Sequence, residues 1–180
     1  DSRTCTSVDD MDDAEEFAAT VTALDALGVK GAELEAIFRA AAAVYTLGDV
    51  QFEAQGDGSQ VTSGTQASLE TAASLLGVDA TKLAQALTTR VRDIAGEGGV
   101  RDVVTTPNDP HEASTLRHAL SKACFSRLFD WLVQRANKAF DVSAGQATQF
   151  IGILDIFGFE DMTVNGFEQV FINTPHEQLH

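Results

Sequence analysis

The chain has 180 residues, with 12 Lys and Arg against 27 Asp and Glu, a formal net charge of −15. That balance argues against nucleic acid as a partner, because holding phosphates wants a basic face. No apolar run approaches the ~18 residues of a membrane span, the two cysteines Cys5 and Cys124 make no disulfide framework, and the four histidines show no metal-ligand spacing. Both cysteines are expected as free thiols in a reducing cytosol.

Residues Asp1 to Asp9 are polar and aperiodic, as at a frayed chain entry. The acidic stretch up to Glu16 suits a helix's first turn, where carboxylates face the positive end of the macrodipole. A helix is expected from about Met11 to Leu27, with Phe17, Val21, Leu24 and Leu27 on one face, ended by Gly28. A second runs from about Ala32 to Leu47, with Leu34, Ile37, Phe38, Ala41, Val44 and Tyr45 turned inward and Gly48 as the stop. The two read as a helical hairpin. Val50 to Phe52 is a candidate short strand, and 53–64, rich in Gly, Ser, Asp and Gln, reads as a loop. Helices follow from about Thr65 to Leu76 and from Ala80 to Leu87.

Thr88 to Ile94 and Gly99 to Val104 alternate like strands, with the turn chemistry of Ala95-Gly-Glu-Gly-Gly99 between them, so a hairpin is expected. Arg90, Arg92 and Arg101 make it the most basic part of the chain. Taken alone, those charges simply keep a surface hairpin soluble. Asp109-Pro-His-Glu112 has the features of a helix start: a capping carboxylate, Pro at the first position and a Glu that reaches back. The helix should run to about Phe140. Its expected stripe is Leu116, Leu120, Ala123, Leu128, Leu132 and Ala136, widened by Phe125, Phe129 and Val133. Trp131 is expected to pack in a core or interface, with Lys122, Arg127, Arg135 and Lys138 on the polar side. A polar loop at 142–148 follows.

Phe150-Ile-Gly-Ile-Leu-Asp-Ile-Phe-Gly-Phe-Glu160 reads as a buried strand running into a tight, charged loop. Asp155 followed by Gly158 is the D-x-x-G arrangement of nucleotide-switch loops. The carboxylate can hold Mg²⁺ directly or through water, and the Gly N–H can approach a terminal phosphate with no Cβ in the way. A strand-ending Asp is also an ordinary turn former.

The wider stretch adds a resemblance. Leu154-Asp-Ile-Phe-Gly-Phe-Glu160, Asn165-Gly-Phe-Glu-Gln169, Ile172-Asn173 and Glu177-Gln-Leu179 closely resemble the switch II loop and early relay helix of the myosin motor domain. Asp12-Asp-Ala-Glu-Glu-Phe17, Leu24-Asp-Ala-Leu-Gly28, Ala86-Leu-Thr-Thr-Arg90, Arg127-Leu-Phe-Asp-Trp-Leu-Val133 and Asn137-Lys138 resemble landmarks of its upper 50-kDa region, in the same order. The similarity is weakest at 53–64.

The resemblance implies a mainly α fold with a small β-hairpin and one core β-strand, a fragment of the P-loop-type α/β motor domain. It divides the chain into an upper 50-kDa helical region (1–148, hairpin near 88–104), a core strand with switch II (149–160) and the start of the relay helix (161–180). It implies ATP and Mg²⁺ as cofactors and the actin filament as partner. Asp155 matches the aspartate that supports the Mg²⁺ shell through water, and Gly158 the glycine whose N–H meets the γ-phosphate. Glu160 matches the glutamate that pairs with a switch I arginine and closes the pocket around the attacking water, so Glu160 and Gly158 are the catalytic candidates. Arg90, Arg92 and Arg101 lie in the hairpin that matches an actin-touching loop.

No G-x-x-x-x-G-K-[ST] and no switch I segment occurs here. With no initiator Met, the chain is expected to be a fragment that is inactive alone, from an actin-activated Mg-ATPase of the cytoplasmic cytoskeleton. Light chains would bind only through regions outside it. The alternative is a non-enzymatic helical interaction module. The pattern departs at Asn173-Thr-Pro-His-Glu-Gln-Leu179. Pro175 inside a helix costs roughly 3 kcal/mol, while Thr174-Pro-His-Glu177 is itself a good helix start, so the relay helix is expected to be kinked or divided there.

Overall fold

Asp12 opens the first helix by accepting from the N–H groups of Ala14 and Glu15 at 2.8 and 3.3 Å. It thereby satisfies two donors the helix leaves orphaned, and Asp13, Glu15 and Glu16 in the first turn face the positive end of the helix dipole. The computed structural model describes residues 11–95, 101–140, 151–153 and 155–179. They fall into two compact units, divided between Asp141 and Val142.

The first unit contains α1 (Asp13–Ala26), α2 (Ala32–Asp49), β1 (Phe52–Gln55), β2 (Gly58–Val61), α3 (Gln66–Leu76), α4 (Ala80–Thr88), β3 (Thr89–Ala95), β4 (Arg101–Pro107) and α5 (Pro110–Ala139). Each expected helix forms within a few residues of its expected ends, as does the hairpin of β3 and β4. Two buried clusters organise the unit. Leu47, Val50, Leu69, Ala72, Ala73, Leu83 and Leu87 form one, flanked by Leu116 and Leu120 of α5. Leu24, Val29 and Ile37 form the other, flanked by Leu128 and Leu132. At about 1.5 Å per residue, α5 is about 45 Å long, and that length lets one helix serve both clusters.

Packing partners moved some faces away from their expected registers. In α2 the buried residues are Ile37, Ala43 and Leu47, while Tyr45 is 73% exposed and Ala41 is exposed. Either stripe obeys helical spacing. The run Ala40–Ala43 gives little contrast between them, and contact with α3 and α5 selects the one that is buried. In α5, Ala113 and Arg117 are the buried residues, and Phe125, Phe129 and Val133 are exposed. Trp131 is half exposed. Arg135 turns inward: its Nη2 donates to the Gly28 carbonyl at 2.8 Å and lies 3.7 Å from Glu33.

The stretch 53–64 is not simply a loop. β1 and β2 pair antiparallel from Phe52↔Val61 to Gln55↔Gly58, joined by Gly56 and Asp57, with Gly56 at φ 57°. The hairpin escapes a periodicity search because polar residues occupy both faces. Its anchor is Gly58, which is buried: a Cβ built there would lie 2.6 Å from Pro107 Cβ. Next to it, Ser59 Oγ donates to the Asn108 carbonyl at 2.8 Å. Asn108, only 1% exposed, donates its N–H to Thr88 O at 2.8 Å and its Nδ2 to Leu87 O at 3.1 Å. One buried residue, through its backbone and its side-chain amide, thus joins the end of α4, β2 and the entry to α5.

In the second unit, the core strand expected at 149–160 is not formed over 151–153 and 155–160. Ile151 and Ile153 are 94% and 93% exposed. A strand buried on both faces needs neighbours on its edges, and the two sheets among the described residues, the two-stranded pairs β1–β2 and β3–β4, do not include this run. α6 (Phe167–Leu179) follows and continues through Pro175 without the expected division. Thr174 does not cap a new helix, since its Oγ1 donates back to Val170 O at 2.6 Å. Pro175 lies close to the C-terminal end, where losing one N–H leaves the earlier turns intact. Among the described residues, no helix is long and apolar enough to cross a membrane. The predominance of helix with small antiparallel pairs agrees with the expected class.

Candidate functional site

The start of α6 is built by side-chain amides. Gln169 Oε1 accepts from the Gly166 N–H at 2.6 Å, so a third-position amide satisfies a donor the helix start would leave unpaired. Asn165 closes the preceding turn, accepting from Met162 N at 2.9 Å and donating to Met162 O at 2.8 Å. One turn beyond Gln169, Asn173 Oδ1 accepts from the Glu160 N–H and its Nδ2 donates to the Glu160 carbonyl, both at 2.8 Å. Gln169 Nε2 donates to Glu160 Oε2 at 3.2 Å. Gln169 and Asn173 are four residues apart, hence on one face of the helix, and together they hold Glu160 by backbone and carboxylate. Phe159 meets His176 edge-on, with ring centroids 6.0 Å apart. A groove of about 570 Å³ runs along this junction, lined by Phe159, Glu160, Gln169, Asn173 and Glu177 among others.

The other two loop candidates are not gathered into this cluster. Asp155 is exposed and has no hydrogen bond or ion pair among the described residues. Gly158 is also exposed, and a Cβ built there meets nothing within 4 Å. Among the described residues no group of three or more His, Cys, Asp and Glu could hold a metal ion. One carboxylate with water and substrate phosphates is nevertheless the usual Mg²⁺ arrangement. The roles of Gln169 and Asn173 were not legible beforehand. The available signal was their i,i+4 spacing downstream of the acidic loop.

The hairpin presents its arginines differently. Arg90 Nη2 lies 2.9 Å from Glu112 Oε1. Glu112 also closes the capping box of α5: its Oε2 accepts from Asp109 N at 3.2 Å and its N–H donates to Asp109 Oδ1 at 2.8 Å. Arg90 therefore ties the base of the hairpin to α5. Arg92, opposite Val104, is exposed, and so are Val91 and Val103. Arg101 pairs with Ala95 in the ladder; its side chain lies outside the described residues.

Perturbed titration occurs at Arg117 and His118 of α5. Arg117 Nη1 donates to the Val50 carbonyl, and its Nη2 contacts His118 Nε2. Burial lowers the Arg117 pKa, with Asp49 pulling upward. His118 is lowered by burial and by the cations Arg117 and Lys122. Arg117 pins α5 to the end of α2.

Residues 1–180 match the family model described as Myosin head (motor domain). The chain is 38% identical to Myosin-1 of Coprinopsis cinerea over 175 residues, which is 97% of this chain and 14% of that protein. Identity is 39% to Myosin-1 of Coccidioides immitis and 37% to Myosin-1 of Schizosaccharomyces pombe, with the same shares covered. The chain therefore spans 14% of the length of these relatives. A family-model match over the whole chain, with relatives 37–39% identical over 97% of it, means that the chain belongs to the myosin head (motor domain) family.

Proposed function

We propose that the chain forms the upper 50-kDa region (1–148), switch II (149–160) and early relay helix (161–180) of an actin-based motor driven by ATP. The observation that carries this reading is the hold of α6 on Glu160 through Asn173 and Gln169. A loop residue assigned to closing the nucleotide pocket is thereby bonded to the helix assigned to relaying that closure. The remaining residues suit the cofactors. Asp155 offers an exposed hard oxygen ligand for Mg²⁺, and Gly158, where a built Cβ meets nothing within 4 Å, has no side chain to hinder a phosphate approaching its N–H. When bound, Mg·ATP would supply the phosphoryl group that is transferred to water. Glu160 would orient that water by closing the pocket. Arg92, with Arg90 holding the hairpin base and Arg101 across the ladder, would meet the acidic actin filament.

The test is Glu160→Ala in the full-length protein carrying this segment. ATP binding should survive, because Asp155 and Gly158 remain. Single-turnover hydrolysis should fall on the order of 10²-fold, as for loss of a positioning contact that matters mainly on the way to the transition state. A rate within about threefold of the parent would end the assignment of Glu160 as the closing residue.

A further inference from the structure

The turn before α6 contains a chemically reactive pair. Of the asparagines in the chain, Asn108, Asn137, Asn165 and Asn173, only Asn165 is followed by glycine. The peptide nitrogen that follows an asparagine can attack that side chain's Cγ. Before glycine no Cβ shields the nitrogen, and the backbone is freest to reach the attacking geometry. Asn165 and Gly166 are both exposed, so water is at hand. The structure nevertheless holds the reacting atoms. The Gly166 N–H donates to Gln169 Oε1 at 2.6 Å. Asn165 Oδ1 accepts from the Met162 N–H at 2.9 Å, and its Nδ2 donates to Met162 O at 2.8 Å. A neutral amide oxygen such as Gln169 Oε1 engages the nitrogen's proton but is too weak a base to remove it.

We propose that Asn165 is a latent deamidation site, kept closed by the hydrogen bond from Gly166 to Gln169. Once that bond opens, the Gly166 nitrogen loses its proton to solvent base and bonds to Asn165 Cγ. The Cγ–Nδ2 bond breaks, and Nδ2 leaves as ammonia. Water then opens the succinimide ring at either carbonyl, leaving aspartate or isoaspartate. Overall, water enters and ammonia departs, with no change of oxidation state. Both products alter the turn. A carboxylate has no donor for Met162 O, and it brings negative charge beside Asp161, whose Oδ1 lies 3.5 Å from Asn165 Nδ2. Isoaspartate also adds a carbon to the main chain just ahead of Gly166, displacing the donor that Gln169 receives. This chemistry is independent of the motor role proposed above.

The experiment ages the full-length protein carrying this segment in mildly alkaline buffer. Peptide mass spectrometry reads conversion at Asn165, and enzymatic carboxyl methylation reads isoaspartate. The folded parent should convert about tenfold more slowly than the same protein in urea, where neither the hydrogen bond nor the turn restrains the pair. Gln169→Ala should speed conversion in the folded protein by roughly 5- to 10-fold, the equivalent of one hydrogen bond. Glu160→Ala removes the other partner of Gln169 and should stay near the parent rate. Gly166→Ala should nearly abolish conversion, folded or unfolded, because a Cβ then shields the nitrogen. That Cβ would lie 3.2 Å from Gln169 Oε1, the movable end of a side chain. Hydrogen exchange of the α6 amides is followed in every variant and should match the parent beyond Gly166.

A parent that converts as fast folded as in urea would overturn the proposal. A Gln169→Ala rate equal to the parent's would remove Gln169 from the role. Equal acceleration in Glu160→Ala would do the same, since the protection would then run through the Glu160 carboxylate. Acceleration in Gln169→Ala with loss of protection throughout α6 would mark unfolding of the helix rather than release of Gly166, and would also overturn it. Conversion that survives in Gly166→Ala would exclude attack by that nitrogen.

Discussion

Gly58→Ala tests how the small β1–β2 hairpin is fixed to the rest of the first unit. The added Cβ would lie 2.6 Å from Pro107 Cβ, 3.6 Å from the Asn108 carbonyl oxygen and 3.7 Å from Pro107 Cα. Carbon atoms rest at roughly 3.5–4.0 Å, so something must shift by about 1 Å. Pro107 is a rigid ring at the end of β4, and Asn108 behind it is fixed by three hydrogen bonds. The strain therefore falls on β2. Overpacking of this size costs about 1–3 kcal/mol, and displacing β2 endangers the bond from Ser59 to Asn108, worth about 1 kcal/mol. A stiffer unfolded chain returns about 0.4–1 kcal/mol. The net loss is about 1–3 kcal/mol, or about 1 M in urea midpoint at ordinary slopes. The control is Gly64→Ala, where a Cβ meets nothing within 4 Å and the change should be neutral or slightly stabilising. Urea unfolding of the 180-residue chain, followed by helical circular dichroism, reads both variants. Coincident midpoints for the two would refute the packing argument.

Two further outcomes are expected. Glu112 serves both the cap of α5 and Arg90, so Glu112→Ala should destabilise by about 1–2 kcal/mol. In a double-mutant cycle with Arg90→Ala, a coupling of about 0.2–1 kcal/mol should shrink in high salt; zero coupling at low salt would free Arg90 for other partners. His118 should titrate by NMR with a midpoint below 6.5, because burial, Arg117 and Lys122 all disfavour its charged form. The unfolded chain then takes up the proton first, so stability should be full above pH 6.5 and fall as pH drops below it. His118→Asn should flatten that fall. A midpoint at or above 6.5 would contradict the assigned contact with Arg117.

Some of this protein was decided by short-range chemistry and was therefore legible in the sequence. Asp12, Asp79 and Asp109 accept from N–H groups two or three residues on. Such bonds need no tertiary partner, so the helix starts fell within about two residues of expectation. The ordered motifs that place the chain in its family are equally independent of packing. What depended on distant neighbours was not readable. The buried stripe of α2 was chosen by α3 and α5 from an alanine-rich surface that offers two. The β1–β2 hairpin owes its place to Pro107, about fifty positions away, and Arg90 was claimed by Glu112. The run at 151–156 has the composition of a buried strand, yet an apolar sequence supplies no ladder partners of its own. At the candidate site, Asp155, Gly158 and Glu160 could be named from spacing. The hold of Asn173 on Glu160 could not, because an amide's choice between solvent, its own helix and a peptide 13 residues back is settled only when the chain brings them within 3 Å.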